Sequence, residues 1–403
     1  MKTSPINDQE INQFRSETKG TFQKIHFNNA GCSFPTDGVV ETVKRYLEEE
    51  AIMGGYETES KYRDSLENIY SLVADFIHAE KEEIALVENA SAAWGIAFHG
   101  ISWNKGDEII VSEMEYATNL LGYLSAREKY GIEFKLISQD DEGNFPLDAL
   151  EKAINSNTRL ISITHIGSGA GGILPIEKIG EIARRHHILY LVDACQTIGH
   201  IPINVKKIGC DMLSVTGRKY LRAPRGTGFL YIRKEIQDKI RPFFMDGHST
   251  QWIHLNEYKL RDDARRFELY EKNRALILGM GKAIEYASSI GMDRIWERIQ
   301  SLAEIFRRKL QALLFVEVQD KGNEKCGIVT FTVSGMDSLR VKNYLADKSI
   351  NVSVGNPQST LFYMNKKNLE GVVRASIHYY NTIAEIDTFC LALEEMVRLP
   401  LKG

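Results

Sequence analysis

From about residue 80 the chain alternates short, nearly unbroken apolar runs with longer stretches whose apolar residues recur at helical spacing. The runs IALV (84–87), EIIV (108–111), FKLI (134–137), LISITHI (160–166), ILYLV (188–192), MLSV (212–215) and GFLYI (228–232) predict strands. Unbroken runs, rather than strict alternation, suit strands covered on both faces. Between several of them lie helical segments such as ATNLLGYLSAREKYG, PLDALEKAIN and IEKIGEIARRHH. This order predicts a large α/β domain over 20–265, with a mainly parallel, mixed sheet and helices on both faces.

Farther on the texture changes. Residues 270–290 read as one helix and MDRIWERIQSLAEIFRRKLQALL as another, in which Ile295, Ile299, Leu302, Phe306, Leu310 and Leu313 share a face. VEVQD, GIVTFTV and VVRASIHYY read as strands, and IAEIDTFCLALEEMVRL as a closing helix with Cys390 on its apolar face. These segments predict a smaller α+β domain over 266–403, with residues 1–19 packed on it.

Composition narrows the picture without changing it. The 403 residues, 43% hydrophobic and 26% charged, are ordinary for a globular chain long enough to divide its core into two domains. Basic and acidic side chains number 50 and 54, a near balance that argues against a nucleic-acid partner. The five cysteines are an odd number, scattered and free of any CxxC pair, which argues against a disulfide framework and for a reducing, cytoplasmic setting. No run approaches the roughly 18 apolar residues of a spanning helix. The polar opening MKTSPINDQEINQFRSETKG has no signal-like apolar stretch either, so no membrane partner is expected. Cys195 and His200 match no zinc spacing, and no metal is expected.

One motif invites a different chemistry. GSGAGG (167–172) follows the predicted strand LISITHI, and Asp193 stands about 20 residues beyond it, as in a dinucleotide fingerprint. That motif requires the glycines to open a helix whose amides face a pyrophosphate. Here Ile173, Leu174 and Pro175 intervene, and Pro175 is the better first-turn residue. A nicotinamide-dependent oxidoreductase is therefore a minor alternative.

The informative stretch is 188–232. Asp193 ends one apolar run, and Thr216-Gly217-Arg218-Lys219 ends a later one, so both fall at the carboxyl ends of strands, where α/β sheets bind ligands. A carboxylate and an amine so placed are what pyridoxal phosphate requires. The amine forms an imine with the aldehyde, and the carboxylate keeps the ring nitrogen protonated. Thr216 and Arg218 offer a hydroxyl and a planar cation for the phosphate. A solvated basic loop of Arg218, Lys219, Arg222 and Arg225, or a patch for nucleic-acid phosphates, is the plainer reading. It leaves the aspartate, the glutamine and the glycines unexplained.

With D-A-x-Q, then a small residue, Gly, a basic residue and Lys, then R-x-P-R-G-x-G, the chain resembles the class V aminotransferase group of fold-type I pyridoxal phosphate enzymes, which includes cysteine desulfurases and selenocysteine lyases. The resemblance runs from FNNAG (27–31) to VRASIHYYNT (373–382). It implies that Lys219 is the Schiff-base lysine, that Asp193 pairs with the ring nitrogen, and that Gln196 meets the ring hydroxyl. Thr216 and Arg218, together with Ala90 and Ser91 of ENASAAWG, would hold the phosphate. Tyr116 of EMEYATN would stack on the ring, Ser168 replaces an Asn usual near the ring hydroxyl, and Arg374 would bind the substrate carboxylate. A homodimer is the family's usual assembly.

Two departures bear on the reaction. Desulfurases carry a catalytic cysteine shortly before the substrate arginine, and INVSVGNPQSTLFYMNKKNLEGVVRAS has none. RRFELYEKN keeps Arg266 and Glu268 of a motif that normally continues with Gly-Thr toward the partner's phosphate, but lacks that pair. RFELYEKN, ENASAAW, EMEYATN and VVRASIHYYNT look most like the subgroup of hercynylcysteine sulfoxide lyase and related carbon–sulfur lyases. The expected activity is β-elimination from a cysteine derivative without a catalytic cysteine; an aminotransferase or an amino-acid epimerase is the alternative. His248, Trp252, Tyr379 and Tyr380 join Tyr116 as candidates for the substrate pocket.

Overall fold

Each of the seven apolar runs is a strand of one sheet: β1 (Ile84–Val87), β2 (Glu108–Ser112), β3 (Glu133–Ile137), β4 (Thr158–Thr164), β5 (Leu189–Asp193), β6 (Met212–Thr216) and β7 (Gly228–Ile232). In the computed structural model, which describes residues 4–398, they are ordered β1-β7-β6-β5-β4-β2-β3. Strands β2 to β6 run parallel, while β7 is antiparallel to both β6 and β1. The expected mixed, mainly parallel sheet is present.

The unbroken apolar runs follow from burial on both faces. Val192, Val215 and Phe229 pack with helices Arg63–Ile77 and Ile176–Arg185 on one side. Leu191, Met212 and Leu230 pack with helices Ala90–His99 and Ala117–Tyr130 on the other. Adjacent residues therefore belong to different cores, and both faces are mainly apolar. Each such Leu, Val or Phe contributes about 1.5–3 kcal/mol on burial.

The second core lies under a four-stranded antiparallel sheet of Val316–Val318, Ile328–Val333, Ser353–Gly355 and Val372–Ser376. Helices Met292–Gln311 and Ile383–Arg398 cover it with Leu302, Phe306, Leu310, Phe389 and Leu393, and Cys390 packs at its margin. The expected strand VVRASIHYY stops at Ser376, because the His378 amide donates to Asn381 Oδ1 (2.8 Å) and turns the chain. The helix expected from 270 starts at Arg274, where Asn273 caps the Leu276 amide. It sends Met280, Ala283 and Ile284 into the large-sheet core. Ile11 and Phe14 of the first helix cluster with Ile290, Ile295, Ile299, Tyr379 and Tyr380. Residues 1–3 and 399–403, the extremes of the two expected small-domain segments, lie outside the described residues, as does Leu399 of the closing helix.

GSGAGG opens no helix, since the next one begins at Ile176. Its glycines let the loop press against the small domain instead. A Cβ on Gly171 would lie 2.2 Å from the Ile328 carbonyl oxygen, and one on Gly169 would lie 2.6 Å from Thr360 Oγ1. The Gly171 amide donates to Asp320 (3.1 Å), which the buried Arg307 holds at 2.8 Å. The nicotinamide alternative loses its physical basis, for no helix N-terminus stands behind these glycines.

Candidate active site

The carboxyl ends of β4, β5 and β6 and the start of helix Ala90–His99 surround one cavity of about 360 Å³, within the roughly 300–1,000 Å³ common for small-molecule sites. Its wall brings together Ala90, Ser91, Tyr116, Ser168, Asp193, Gln196, Thr216, Arg218 and Lys219, every one expected from the sequence. Asn89, Thr118, Asn119, Thr164, Ile166 and Cys195 complete it.

Asp193 is the last residue of β5 and only 5% exposed. Its Oδ1 accepts from the Cys195 amide (2.9 Å) and its Oδ2 from Asn119 Nδ2 (3.2 Å). Lys219 follows β6 by a tight turn, in which a Cβ on Gly217 would lie 2.4 Å from Thr227 Oγ1. Burial pushes the Lys219 ammonium down, against the pull of Cys195 and Asp193 toward its charged form. Burial also pushes the Cys195 thiol well up, so it is not a ready thiolate.

The remaining groups divide between the two ends of the cavity. Asn89 caps helix Ala90–His99 by accepting from the Ala92 amide. Ala90 and Ser91, at the first helical positions, line the cavity and have amides without an intrahelical acceptor, with the helix dipole behind them. Gln196 donates from Nε2 to the Ala30 carbonyl (3.1 Å), while its Oε1 is buried without a partner among the described residues. Arg218 donates to the Gly31 carbonyl from the same loop turn.

Arg374 is not on the cavity wall. It projects from Val372–Ser376 and crosses to the large domain, donating from Nη1 to the Ser168 carbonyl (2.8 Å) and from Nε to Ser353 Oγ (2.9 Å). Ser168 Oγ lies 3.4 Å from Thr360 Oγ1, so its hydroxyl faces the small domain. Tyr116 stands at the N-cap position of helix Ala117–Tyr130, makes no side-chain capping bond, and is 40% exposed at the cavity.

Of the other candidates for the pocket, none lines it. Tyr379 and Tyr380 surround the buried Arg222, which donates to Tyr379 OH (2.5 Å), Thr18 Oγ1 (2.6 Å) and the Phe34 carbonyl (2.8 Å). Arg222 is thus a clasp between distant segments, not part of a solvated basic loop. His248 Nε2 lies 2.8 Å from Glu268 Oε2, and Glu268 also accepts from Tyr70, Lys272 and the Leu86 amide. This buried cluster is what RFELYEKN builds in place of the Gly-Thr continuation. Trp252 is 74% exposed on the hairpin of Thr250–His254 and Glu257–Leu260.

The cavity has the complement of groups that pyridoxal phosphate needs. A helix start with a nearby hydroxyl and guanidinium suits the phosphate, a strand-end carboxylate the ring nitrogen, and an amide with an unpartnered buried oxygen the ring hydroxyl.

The chain matches the family model described as Aminotransferase class-V over residues 25–389. It is 30% identical to a protein of Pyrococcus abyssi named "Probable cysteine desulfurase", over 95% of this chain and 97% of that one. It superposes on the apo structure of a cysteine desulfurase from Thermococcus onnurineus with a TM-score of 0.91 and 31% identity, covering 99% of this chain and 100% of the other. The cystine C-S lyase C-DES, solved with its product cysteine persulfide, shares the fold with a TM-score of 0.85 and 21% identity, covering 93% and 98%.

Proposed function

The chain belongs to the class-V aminotransferase family, and on that premise we propose that it is a pyridoxal-phosphate-dependent carbon–sulfur β-lyase. It would release sulfur from a cysteine derivative without using a cysteine of its own. The observation that carries the reading is the segment 353–374. It carries Arg374, which donates to the carbonyl of the cavity-wall residue Ser168, and holds no thiol where desulfurases carry theirs. Cys195, the cysteine on the cavity wall, has its thiol raised by burial, which does not suit a sulfur-accepting nucleophile.

When bound, the cofactor supplies an electron-accepting ring that makes the α-proton of an attached amino acid acidic. The protein's part is then assigned as follows. Ala90, Ser91, Thr216 and Arg218 bind the phosphate, Gln196 meets the ring hydroxyl, and Tyr116 stacks on the ring. Asp193 holds a proton at the ring nitrogen. Arg374 orients the substrate through its carboxylate by a guanidinium fork. Lys219, its ammonium destabilised by burial, accepts the α-proton at Nζ. Sulfur leaves directly from Cβ, so no protein thiol is required. The division into a cofactor domain over 20–265 and a smaller domain over 266–403 is kept, with helix Arg274–Ile290 packed across to the large core. Phe243, Phe244, Trp252, Leu255 and Tyr258 are each exposed, and a homodimer partner would cover such apolar side chains.

The test is pyruvate release from a panel of cysteine conjugates and sulfoxides. Stoichiometric pyruvate and sulfur product support the reading. Keto-acid-dependent amino transfer, α-deuterium exchange without elimination, or a persulfide trapped on the protein would each replace it.

A further inference from the structure

Behind Asp193 lies a second carboxylate to which the reading above gives no task. Glu115 sits between β2 and helix Ala117–Tyr130 and is 0% exposed. Its Oε1 accepts from the Thr164 amide (2.7 Å) and Ser112 Oγ (3.1 Å). Its Oε2 accepts from Thr164 Oγ1 (2.9 Å), Asn119 Nδ2 (3.1 Å) and Tyr123 OH (3.3 Å). All of these donors are neutral, and no lysine or arginine among the described residues donates to it.

Asn119 is the link. Its Nδ2 donates to Glu115 Oε2 at 3.1 Å and to Asp193 Oδ2 at 3.2 Å. Its contact with Thr164 Oγ1 is longer, at 3.4 Å, so the two amide protons are allotted to the two carboxylates. The other Asp193 oxygen is fixed by the Cys195 amide. The ionisable groups around the pair are Tyr123 on the helix, Tyr190 and Cys195 along and after β5, and Lys219 after β6. Glutamate is a costly choice at so buried a position unless its charge has a use, because neutral side chains could accept the same donors.

We propose that Asn119 and Glu115 are positioning residues for Asp193: Asn119 fixes the carboxylate, and the Glu115 charge behind it strengthens the hold of Asp193 on the proton shared with the cofactor's ring nitrogen. The inference rests on the reading of the cavity as a pyridoxal phosphate site. Its physical basis is that like charges in a low-dielectric site raise each other's proton affinity. Burial pushes Glu115 itself up to about 7, with Asp193 adding to the rise, so the two carboxyls are electrostatically coupled and the Glu115 charge acts in full only above that pH, where the affinities are to be compared.

The experiment titrates the apo protein with pyridoxal phosphate and with its 1-deaza analogue, in which a C–H replaces the ring nitrogen. Wild type should prefer pyridoxal phosphate. Glu115→Gln and Asn119→Ala should each reduce that preference about tenfold, the equivalent of one pK unit. The change should lie in the affinity for pyridoxal phosphate, with the analogue's affinity unaltered. In Glu115→Gln the pH at which the absorption of the bound cofactor changes should also fall by about one unit. Asn119→Ala leaves Glu115 with its other donors, so it remains informative if the glutamine variant folds poorly. An unchanged preference in both variants, or an equal loss of affinity for both ligands, overturns the inference and leaves the site reading standing. A wild-type protein that binds neither ligand, or does not distinguish them, overturns the site reading as well.

Discussion

The two sides of the cavity mouth are built on opposite terms. On the large-domain side, Asp193 and Thr216 leave buried strand ends, Lys219 follows a turn that only glycine fits, and Ala90 begins a helix. On the small-domain side, strand Val372–Ser376 presents Arg374, but the chain before it runs from 356 to 371 with one short helix, Leu361–Lys366. That helix is anchored by the buried Tyr363 and Met364, and by Lys366, 3.2 Å from Glu113 on the opposite side. Chemistry common to the family is thus fixed by the sheet. The feature that separates a lyase from a desulfurase, a thiol present or absent, lies on a segment the sheet does not dictate.

The largest effect should come from breaking the rigid side. Lys219→Ala is expected to lower turnover by more than about a thousandfold, the scale of losing an essential covalent group. Pyruvate release measures the loss, and the missing visible absorption band of the protein with pyridoxal phosphate confirms its cause. Asp193→Asn should cost about a hundredfold or more in turnover while cofactor binding persists. Near wild-type turnover in that variant would remove Asp193 from its role.

Breaking the other side should divide binding from chemistry. Arg374→Lys keeps a charge but loses the fork, so KM should rise about tenfold or more with a smaller change in kcat. A kcat loss with KM unchanged would place Arg374 away from the substrate carboxylate. The contrast sharpens with Cys32, Cys195 and Cys390 all changed to alanine. These are the half-buried cysteines, whereas Cys210 and Cys326 are fully buried. Pyruvate release should stay within about threefold of wild type, under 1 kcal/mol of barrier. Loss of sulfur release in this variant would return the chain to the desulfurase mechanism.

Much of this contrast was legible beforehand because it follows from short-range rules. Strands buried on both faces are unbroken apolar runs, and Asp193 and Lys219 are conspicuous because they end such runs. The buried role of Arg222 is not legible in the sequence, because its partners, Thr18, Phe34 and Tyr379, are remote in the chain. Its left-handed backbone, φ 64°, gave no signal in a run of basic residues. Glu115 and Asn119 escaped notice for the same reason, although EMEYATN directly follows β2 and puts two glutamates where the chain is still buried. GSGAGG met the spacing of a known motif while its glycines answered to Asp320, Ile328 and Thr360, contacts that only the fold reveals.

The smallest expected effect concerns the packing beneath the two sides. Burial pushes His165 and His200 down to about 3 and His26 down to about 4. An unfolded histidine takes up its proton near 6.5. As pH falls below that value, the unfolded chain binds protons that the native state refuses, so stability is lost toward pH 4 and further toward pH 3. Glu115 acts oppositely. Raised to about 7 in the native state, it binds a proton before an unfolded carboxyl does, so its contribution to stability falls as pH rises from about 4.5 to 7. Burial lowers His99 and His378 as well, so the imidazoles outweigh the one raised carboxyl, and the melting temperature should decline by several degrees between pH 6.5 and 4.5. Glu115→Gln removes the opposing term and should make that decline steeper. His165→Gln should make it shallower. Thermal melting at half-unit pH steps reads both, and a slope indifferent to either substitution would mean that these buried groups do not govern the acid limb.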